Sequence, residues 1–239
     1  MRVACLFDIH GNLPALEAVL AEPDVTGADR VLSGGDAVSG PFPRETAEVL
    51  RGLGERLLAI RGNTEDDVLA AEEAKPAWCA ARLGADHLAW IDAQPLTAEL
   101  GDGVLACHGT PRSDLEIVTL VTPDERLAEI LTGVDARVVI AGHTHSQMDR
   151  VVSGIRWVNA GSVGMPYEHE QGAYWALVDD SAVELRRTPY DAKAAAERIR
   201  ATSSPKADEF AAEYVLTMYP PEETAPFFER MAAEQDTGS

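Results

Sequence analysis

The sequence predicts an α/β fold in which parallel βαβ units come first and antiparallel hairpins follow. Three observations predict it. Short apolar runs at 3–7, 30–33, 57–60 and 138–141 alternate with segments of helical period, the arrangement of parallel strands joined by crossover helices. Each of these runs, and another at 104–107, empties into a glycine beside a polar side chain. From residue 148 onward the period changes to that of strands joined by tight turns such as Ser153-Gly154, which pair antiparallel.

The first run passes into Asp8-Ile9-His10-Gly11-Asn12. Alternate residues of an extended segment share a face, so Asp8 and His10 can converge on one point. Pro14 suits a first helical turn, and Leu13, Leu16, Val19 and Leu20 fall at helical spacing, which predicts a helix to about residue 21. A polar connector over 23–29 leads to the strand at 30–33, which ends in Gly34-Gly35-Asp36. Such βαβ units carry their functional groups at the C-terminal edge of the sheet. A turn-rich loop over 38–43 and a helix over 45–53 precede the strand at 57–60, which runs into Arg61-Gly62-Asn63-Thr64-Glu65. Helices are predicted over 65–73 and 78–93, with Pro76 between them and Pro95 ending the second. Segments 96–100 and 104–107 form a hairpin about Gly101-Asp102-Gly103, and the second leads to His108-Gly109. The stretch 111–121 has no assignable period. A helix over 123–131 precedes the run at 138–141, which ends in Gly142-His143-Thr144-His145.

Antiparallel strands are predicted at 148–152, 155–158, 174–178 and 183–187, and helices at 192–201, 208–216 and 222–234. The division expected is a domain over 1–190 with a helical C-terminal extension over 191–239 packed on it. The last helix presents Phe227, Phe228 and Met231 as its apolar face. Its alternative role is dimerisation, giving a homo-oligomer, or the binding of another partner.

With 40 acidic against 20 basic side chains the net charge is −20, which disfavours a long nucleic acid or an anionic membrane surface as partner. No apolar run approaches the ~20 residues that span a bilayer, and none near the start has the length of a signal peptide's hydrophobic region. Cys5, Cys79 and Cys107 lie far apart, so the expectation is a soluble, reduced, cytoplasmic protein.

Collected together, the polar groups at the ends of the apolar runs are Asp8, His10, Asp36, Asn63, His108, His143 and His145, which include four of the six histidines. One histidine at a strand tip is unremarkable; this repetition, each time beside glycine, points to a metal site. The set exceeds the three or four protein ligands of a single catalytic ion, so two divalent ions are expected. Two dications facing two aspartates leave a local positive excess that can hold a hydroxide and a phosphate on an acidic protein. Histidine, aspartate and asparagine donors accept Mn²⁺, Fe, Co²⁺, Ni²⁺ or Zn²⁺, with Mn²⁺ the first expectation.

These motifs, D-x-H, G-D, G-N-x-E, H-G and G-H-T-H followed by Asn159-Ala160-Gly161-Ser162-Val163-Gly164, run in order over about residues 1–185. In them the sequence resembles the calcineurin-like metallophosphoesterases, in particular the compact prokaryotic phosphodiesterase-type branch. The resemblance implies a four-layered αββα sandwich of two mixed β-sheets, the metallo-dependent phosphatase fold. It implies that Asp8, His10 and His145 hold one ion, Asn63, His108 and His143 the other, and that Asp36 bridges them. A metal-bridging hydroxide would then attack phosphorus in line, which makes Asp36, Asn63 and His108 the expected catalytic residues. The implied activity is hydrolysis of a small-molecule phosphoester.

Two positions depart from the family pattern. Thr64 stands where many relatives carry a histidine that protonates the leaving group, and a threonine hydroxyl is no general acid near neutral pH. This favours phosphodiesters over unactivated phosphomonoesters. The segment after Asp36 lacks the arginine of protein phosphatases and dinucleoside tetraphosphatases, so phosphomonoesterase, protein or dinucleotide phosphatase activity stands as the alternative, with a non-catalytic metal-binding interaction scaffold as another. Asn12, Thr64 and His169 are candidate substrate contacts, His169 also a substitute acid, and Arg44, Arg61 and Arg112 candidate phosphate contacts.

Overall fold

Alternate residues of the first strand face two different layers, and this decides the architecture. The computed structural model describes residues 1–180 and 182–237. In it β1 (Arg2–Leu6) sends Val3 and Cys5 into one apolar cluster and Ala4 and Leu6 into another. A strand buried on both faces reads as a continuous apolar run. β1 pairs in parallel with β2 (Arg30–Gly34), which pairs in parallel with β3 (Leu57–Ile60).

The second sheet begins with β4 (Thr97–Glu99), antiparallel to β5 (Val104–Cys107), and continues through β6 (Val138–Ala141). β7 (Gln147–Val152) forms the far edge against β8 (Ile155–Ala160), and β8 runs parallel to β6. The chain then returns to the first sheet as β9 (Ala173–Asp179), antiparallel to β1, and β10 (Ala182–Thr188). The orders are β10-β9-β1-β2-β3 and β4-β5-β6-β8-β7, both mixed.

Val3, Cys5, Phe7, Ile140 and Val158 fill the space between the sheets. The outer face of the first sheet is covered by α1 (Leu13–Leu20), α2 (Pro23–Thr26), α3 (Pro43–Gly52), α4 (Asn63–Ala70), α5 (Ala74–Leu83) and α6 (Ala85–Asp92). The outer face of the second, around Trp157, takes α7 (Asp124–Ile130). This is an αββα sandwich. The C-terminal helical extension comprises α8 (Ala192–Arg200), α9 (Ala207–Phe210) running into a π-helical turn at Ala211–Leu216, and α10 (Pro221–Thr237). α8, α9 and the π turn form their own apolar cluster, on which Phe42, Met165 and Tyr190 pack.

The structure differs from the sequence reading in several places. The connector at 23–29 contains the short helix α2, started by a proline whose fixed φ suits a first turn. The helix predicted over 78–93 is two helices, broken at Gly84, whose φ of +74° caps α5 and reorients the chain. Pro76 lies inside the first turn of α5, where its missing N–H has no helical partner to lose. The apolar face expected of α10 is also different: Phe227 is 54% exposed and Met231 38%, while Ala225 and Ala232 are buried. That helix is oriented instead by Glu229, whose carboxylate accepts hydrogen bonds from Thr119 (2.6 Å) and Thr122. Among the described residues no helix is long and apolar enough to cross a membrane.

Candidate metal centre

The C-terminal ends of β1, β2 and β3 in one sheet and of β5 and β6 in the other meet at one edge of the sandwich. Asp8 and His10 follow β1, Asp36 follows β2, His108 follows β5, and His143 and His145 follow β6; Asn63 opens α4 just beyond β3. Backbone bonds tie the loops together. Asp8 N–H donates to Gly35 O (3.1 Å), His10 N–H to Asp36 O (2.8 Å) and Gly142 N–H to His108 O (2.9 Å).

Asp8 is the centre of the arrangement. Its Oδ2 accepts the His143 N–H at 2.9 Å, while its Oδ1 is buried with no hydrogen-bond partner. That Oδ1 lies 3.3 Å from His145 Nε2 and 3.9 Å from both His10 Nε2 and His108 Nε2. His108 donates through Nδ1 to Gly34 O (3.0 Å) and His145 through Nδ1 to Met165 O (2.8 Å), which fixes the tautomer whose Nε2 lone pair faces inward when the ring is neutral. His10 Nε2 stands 3.1 Å from His145 Nε2, and Asp36 offers Oδ2 to His10 (3.7 Å) and Oδ1 to His108 (3.4 Å). Asn63 Oδ1 is 3.2 Å from His108 Nε2. Lone pairs converging on a buried, unpartnered carboxylate oxygen repel one another unless a cation lies among them. Two groups are close enough to hold an ion each, Asp8/His10/His145 and Asp8/Asp36/His108, which makes a dinuclear divalent-metal site.

Burial and charge prepare these groups as ligands. Burial pushes the Asp8 carboxyl up, but the imidazoles of His145 and His108 outweigh it and hold the group below the usual carboxylate range. Burial and then His145 keep His10 well below its ordinary value. His143 is pushed down to about 3 by burial and His108. Neutral imidazole and ionised carboxylate are the forms that bind metal. Asp36 and His108 go the other way: burial raises the Asp36 pKa against the pull of His108, and although burial lowers His108, the charges of Asp36 and Asp8 outweigh it and hold the imidazole above its ordinary value.

Five of the ten non-glycine residues with positive φ among those described are Asp8, His10, Asp36, His143 and His145. The left-handed region costs an L-residue roughly 1–2 kcal/mol, least for Asp, Asn and His. Strain concentrated on these candidate ligands is the mark of a site held in shape by its surroundings. Ser162 Oγ donates to Asp8 O (2.7 Å), and Asn159 Nδ2 donates to Gly142 O (2.6 Å).

The structure brings Asp8, His10, Asp36, Asn63, His108, His143 and His145 together; of the other candidates only Thr64 comes with them. His169 is 64% exposed at its side chain, 3.3 Å from Glu222. Asn12 is a buried N-cap, its Oδ1 accepting from Ala15 N–H (3.3 Å) and its Nδ2 donating to Gly164 O (2.9 Å), which commits both ends to the scaffold. Arg44 pairs with Glu48, Arg61 with Asp66 and Arg112 with Glu116, so acids hold all three guanidinium groups. Thr64 adjoins the centre: its N–H donates to Asp36 Oδ1 (2.9 Å), and its hydroxyl is buried without a partner.

Glu65 is the residue missed as part of the site. It is 1% exposed, and its carboxylate accepts the N–H groups of Asp36 (2.7 Å), Ala37 (2.8 Å) and Gly62 (3.0 Å), binding the Asp36 loop to the start of α4. Burial and the Asp36 charge push it up to about 7. Its place three residues after Gly62, where an acid bonds back to a helix's first amides, was the available signal. Tyr167, stacked on His145 with ring centres 5.2 Å apart, carried none.

The calcineurin-like phosphoesterase superfamily domain matches residues 1–181. The chain belongs to this superfamily. A metallophosphoesterase from Sphaerobacter thermophilus superposes with a TM-score of 0.75 at 27% identity, over 90% of this chain and 100% of that one. A hypothetical protein from Pyrococcus horikoshii OT3 shares the fold, with a TM-score of 0.76 at 22% identity over 91% and 99% of the two chains. An uncharacterized protein of Methanocaldococcus jannaschii is 28% identical over 82% of this chain and 91% of its own length. As a calcineurin-like phosphoesterase the chain has the fold and metal-binding geometry of a metal-dependent hydrolase.

Proposed function

We propose that this calcineurin-like phosphoesterase hydrolyses small-molecule phosphodiesters with two divalent ions, Mn²⁺ first among them. The observation that carries the reading is Asp8 Oδ1, buried without a hydrogen bond and faced by three imidazole nitrogens. Asp8, His10 and His145 are assigned to one ion, Asn63, His108 and His143 to the other. Asp36, with one oxygen toward His10 and the other toward His108, is assigned to both. When bound, the ions supply Lewis acidity to a phosphoryl oxygen and lower the pKa of water toward neutrality.

The chain's own residues set the rest. Asn63 turns Oδ1 to His108, which leaves its Nδ2 to donate to a phosphate oxygen. The unpartnered Thr64 hydroxyl can donate a hydrogen bond there but cannot deliver a proton to an alkoxide. The two histidines outside the ligand set are engaged elsewhere, His87 with Leu83 O and His169 with Glu222. No imidazole therefore stands ready as general acid, and diesters with acidic leaving groups are favoured. Three free, buried cysteines and the acidic surface support a cytoplasmic location.

Metal content by elemental analysis, combined with hydrolysis of bis(p-nitrophenyl) phosphate and p-nitrophenyl phosphate under Mn²⁺, Ni²⁺, Zn²⁺ and Mg²⁺, tests the reading. The expected result is about two ions per chain, faster cleavage of the diester, and loss of both on chelation and in Asp36→Asn and His108→Ala. Stoichiometric metal without turnover of either substrate would sink the catalytic reading and leave the interaction scaffold.

A further inference from the structure

Two of the chain's three lysines, Lys75 and Lys206, line one cavity of about 180 Å³ beside the metal centre. Its walls include Gly40, Pro41, Met165 and one carboxylate, Glu209, which is paired with Lys206. Gly40 packs so closely on the His10 backbone that a Cβ there would lie 1.6 Å from His10 O, and the Met165 carbonyl is the acceptor that orients His145. The cavity thus borders two ligands. Tyr214 from the C-terminal extension forms part of its wall.

Lys75 stands in the first turn of α5, half-buried, and among the described residues its ammonium makes no hydrogen bond and no ion pair. Burial holds it below its ordinary value, and it lies within electrostatic reach of Asp36 and His10. Lys206, by contrast, is 70% exposed and paired with Glu209 at 3.2 Å. Burying an ammonium without a counter-charge is costly, and a chain with 40 acidic side chains has ample means to supply one. None of them does. A cation kept bare at the edge of a phosphoester site is kept for an anion that arrives with the ligand.

We propose that Lys75 binds a second anionic group of the substrate, a phosphate or a carboxylate joined by a short linker to the scissile phosphodiester. At about 180 Å³ the cavity has room for such a group and a few carbons. This assignment rests on the phosphodiesterase reading and narrows it to dianionic substrates.

Two substrate pairs, each differing by one anionic group, test it on the Mn²⁺-loaded full chain. Glycerophosphoserine against glycerophosphoethanolamine isolates a carboxylate. Thymidine 5′-(p-nitrophenyl phosphate) with and without a 3′-phosphate isolates a phosphate. In at least one pair the member with the extra anion is expected to have a kcat/KM about tenfold higher or more, carried by KM. Lys75→Met should bring that ratio close to one, and Lys75→Arg should restore most of it. Independently of turnover, acylation of Lys75 by acetic anhydride, read by mass spectrometry against the exposed Lys193, should be suppressed by the anion-bearing member and not by its counterpart. Ratios near one in both pairs for the unmodified protein, or equal protection by both members, overturn the proposal. If neither pair is hydrolysed the phosphodiesterase reading fails, and the labelling result still decides for or against Lys75.

Discussion

Replacing Gly164 by alanine should loosen the turn that carries Asp8 and His10. Gly164 N–H donates to Asp8 O at 3.0 Å, and its carbonyl accepts from Asn12 Nδ2 at 2.9 Å. A Cβ at this position would lie 1.9 Å from Ile9 O and 2.6 Å from Ile9 C. These are backbone atoms of the turn that carries Asp8 and His10, so no side-chain rotation relieves the overlap. The two segments must separate by about 1 Å, which takes both hydrogen bonds out of range. Two buried hydrogen bonds left unmade cost ~1–3 kcal/mol each, or about 4 kcal/mol together. For a chain of this size that lowers Tm by roughly 8–16 °C. Urea unfolding of chelator-treated protein, followed by tryptophan fluorescence, measures the loss without the metal's contribution. Gly52→Ala is the internal control, because a Cβ there meets nothing within 4 Å, and at a helical position alanine should stabilise by about 0.5–1 kcal/mol. A loss below about 1 kcal/mol in Gly164→Ala, with metal content unchanged, would refute the idea that this close approach shapes the ligand turn.

Thr64→His should supply the missing acid and raise the rate on phenyl phosphate more than on p-nitrophenyl phosphate, by up to ~10²-fold; an unchanged ratio of the two rates would show that the proton comes from elsewhere. Chelation should lower Tm by roughly 5–10 °C relative to protein at about 100 times the metal's Kd, since a ligand at that excess contributes about 2.7 kcal/mol, and scanning calorimetry reads it. Arg156→Ala removes a two-pronged pair with Asp149 (2.9 and 2.7 Å) whose partly exposed side chains limit its worth to about 1 kcal/mol after solvent screening. The Arg156 hydrogen bond holds Asp149 below its ordinary value of 3.8, so the contribution is present above that pH and fades as pH falls through the lower folded-state value. The penalty at pH 7 should therefore shrink in unfolding measured below pH 3.8; one that stays constant would trace to the Arg156 bond with Val183 O alone.

The parallel strands and the chemistry at their ends were legible because both are local. An apolar run followed by Gly and a polar residue states its burial, its end and its donor within a few positions, as at Gly34-Gly35-Asp36 and Gly142-His143. Helix boundaries were less so. The apolar period runs on through Gly84, and only the left-handed φ there separates α5 from α6. The docked face of α10 was legible only in part: Phe228 packs on Tyr167 with ring centres 5.8 Å apart, but Phe227 and Met231 look like the same core stripe until Thr119 and Thr122 capture Glu229 and turn them outward. Glu65 was visible as part of a motif, but its role lies in amides of Asp36 and Ala37 that precede it by 29 and 28 residues.

By itself, then, the sequence determined the candidate donors, their order along the chain, the α/β alternation and the absence of histidine at position 64, since each follows from residue type and short spacing. Only the tertiary structure decided that Asp8 lies in both ligand groups and that its Oδ1 is left without a hydrogen bond. His10 and His145 are 135 residues apart, and their 3.1 Å approach exists because two sheets stack with their strand ends at one edge. The bare ammonium of Lys75 beside that edge is a decision of the same kind: charge is written in the sequence, but whether a charge has a partner depends on what the fold places next to it.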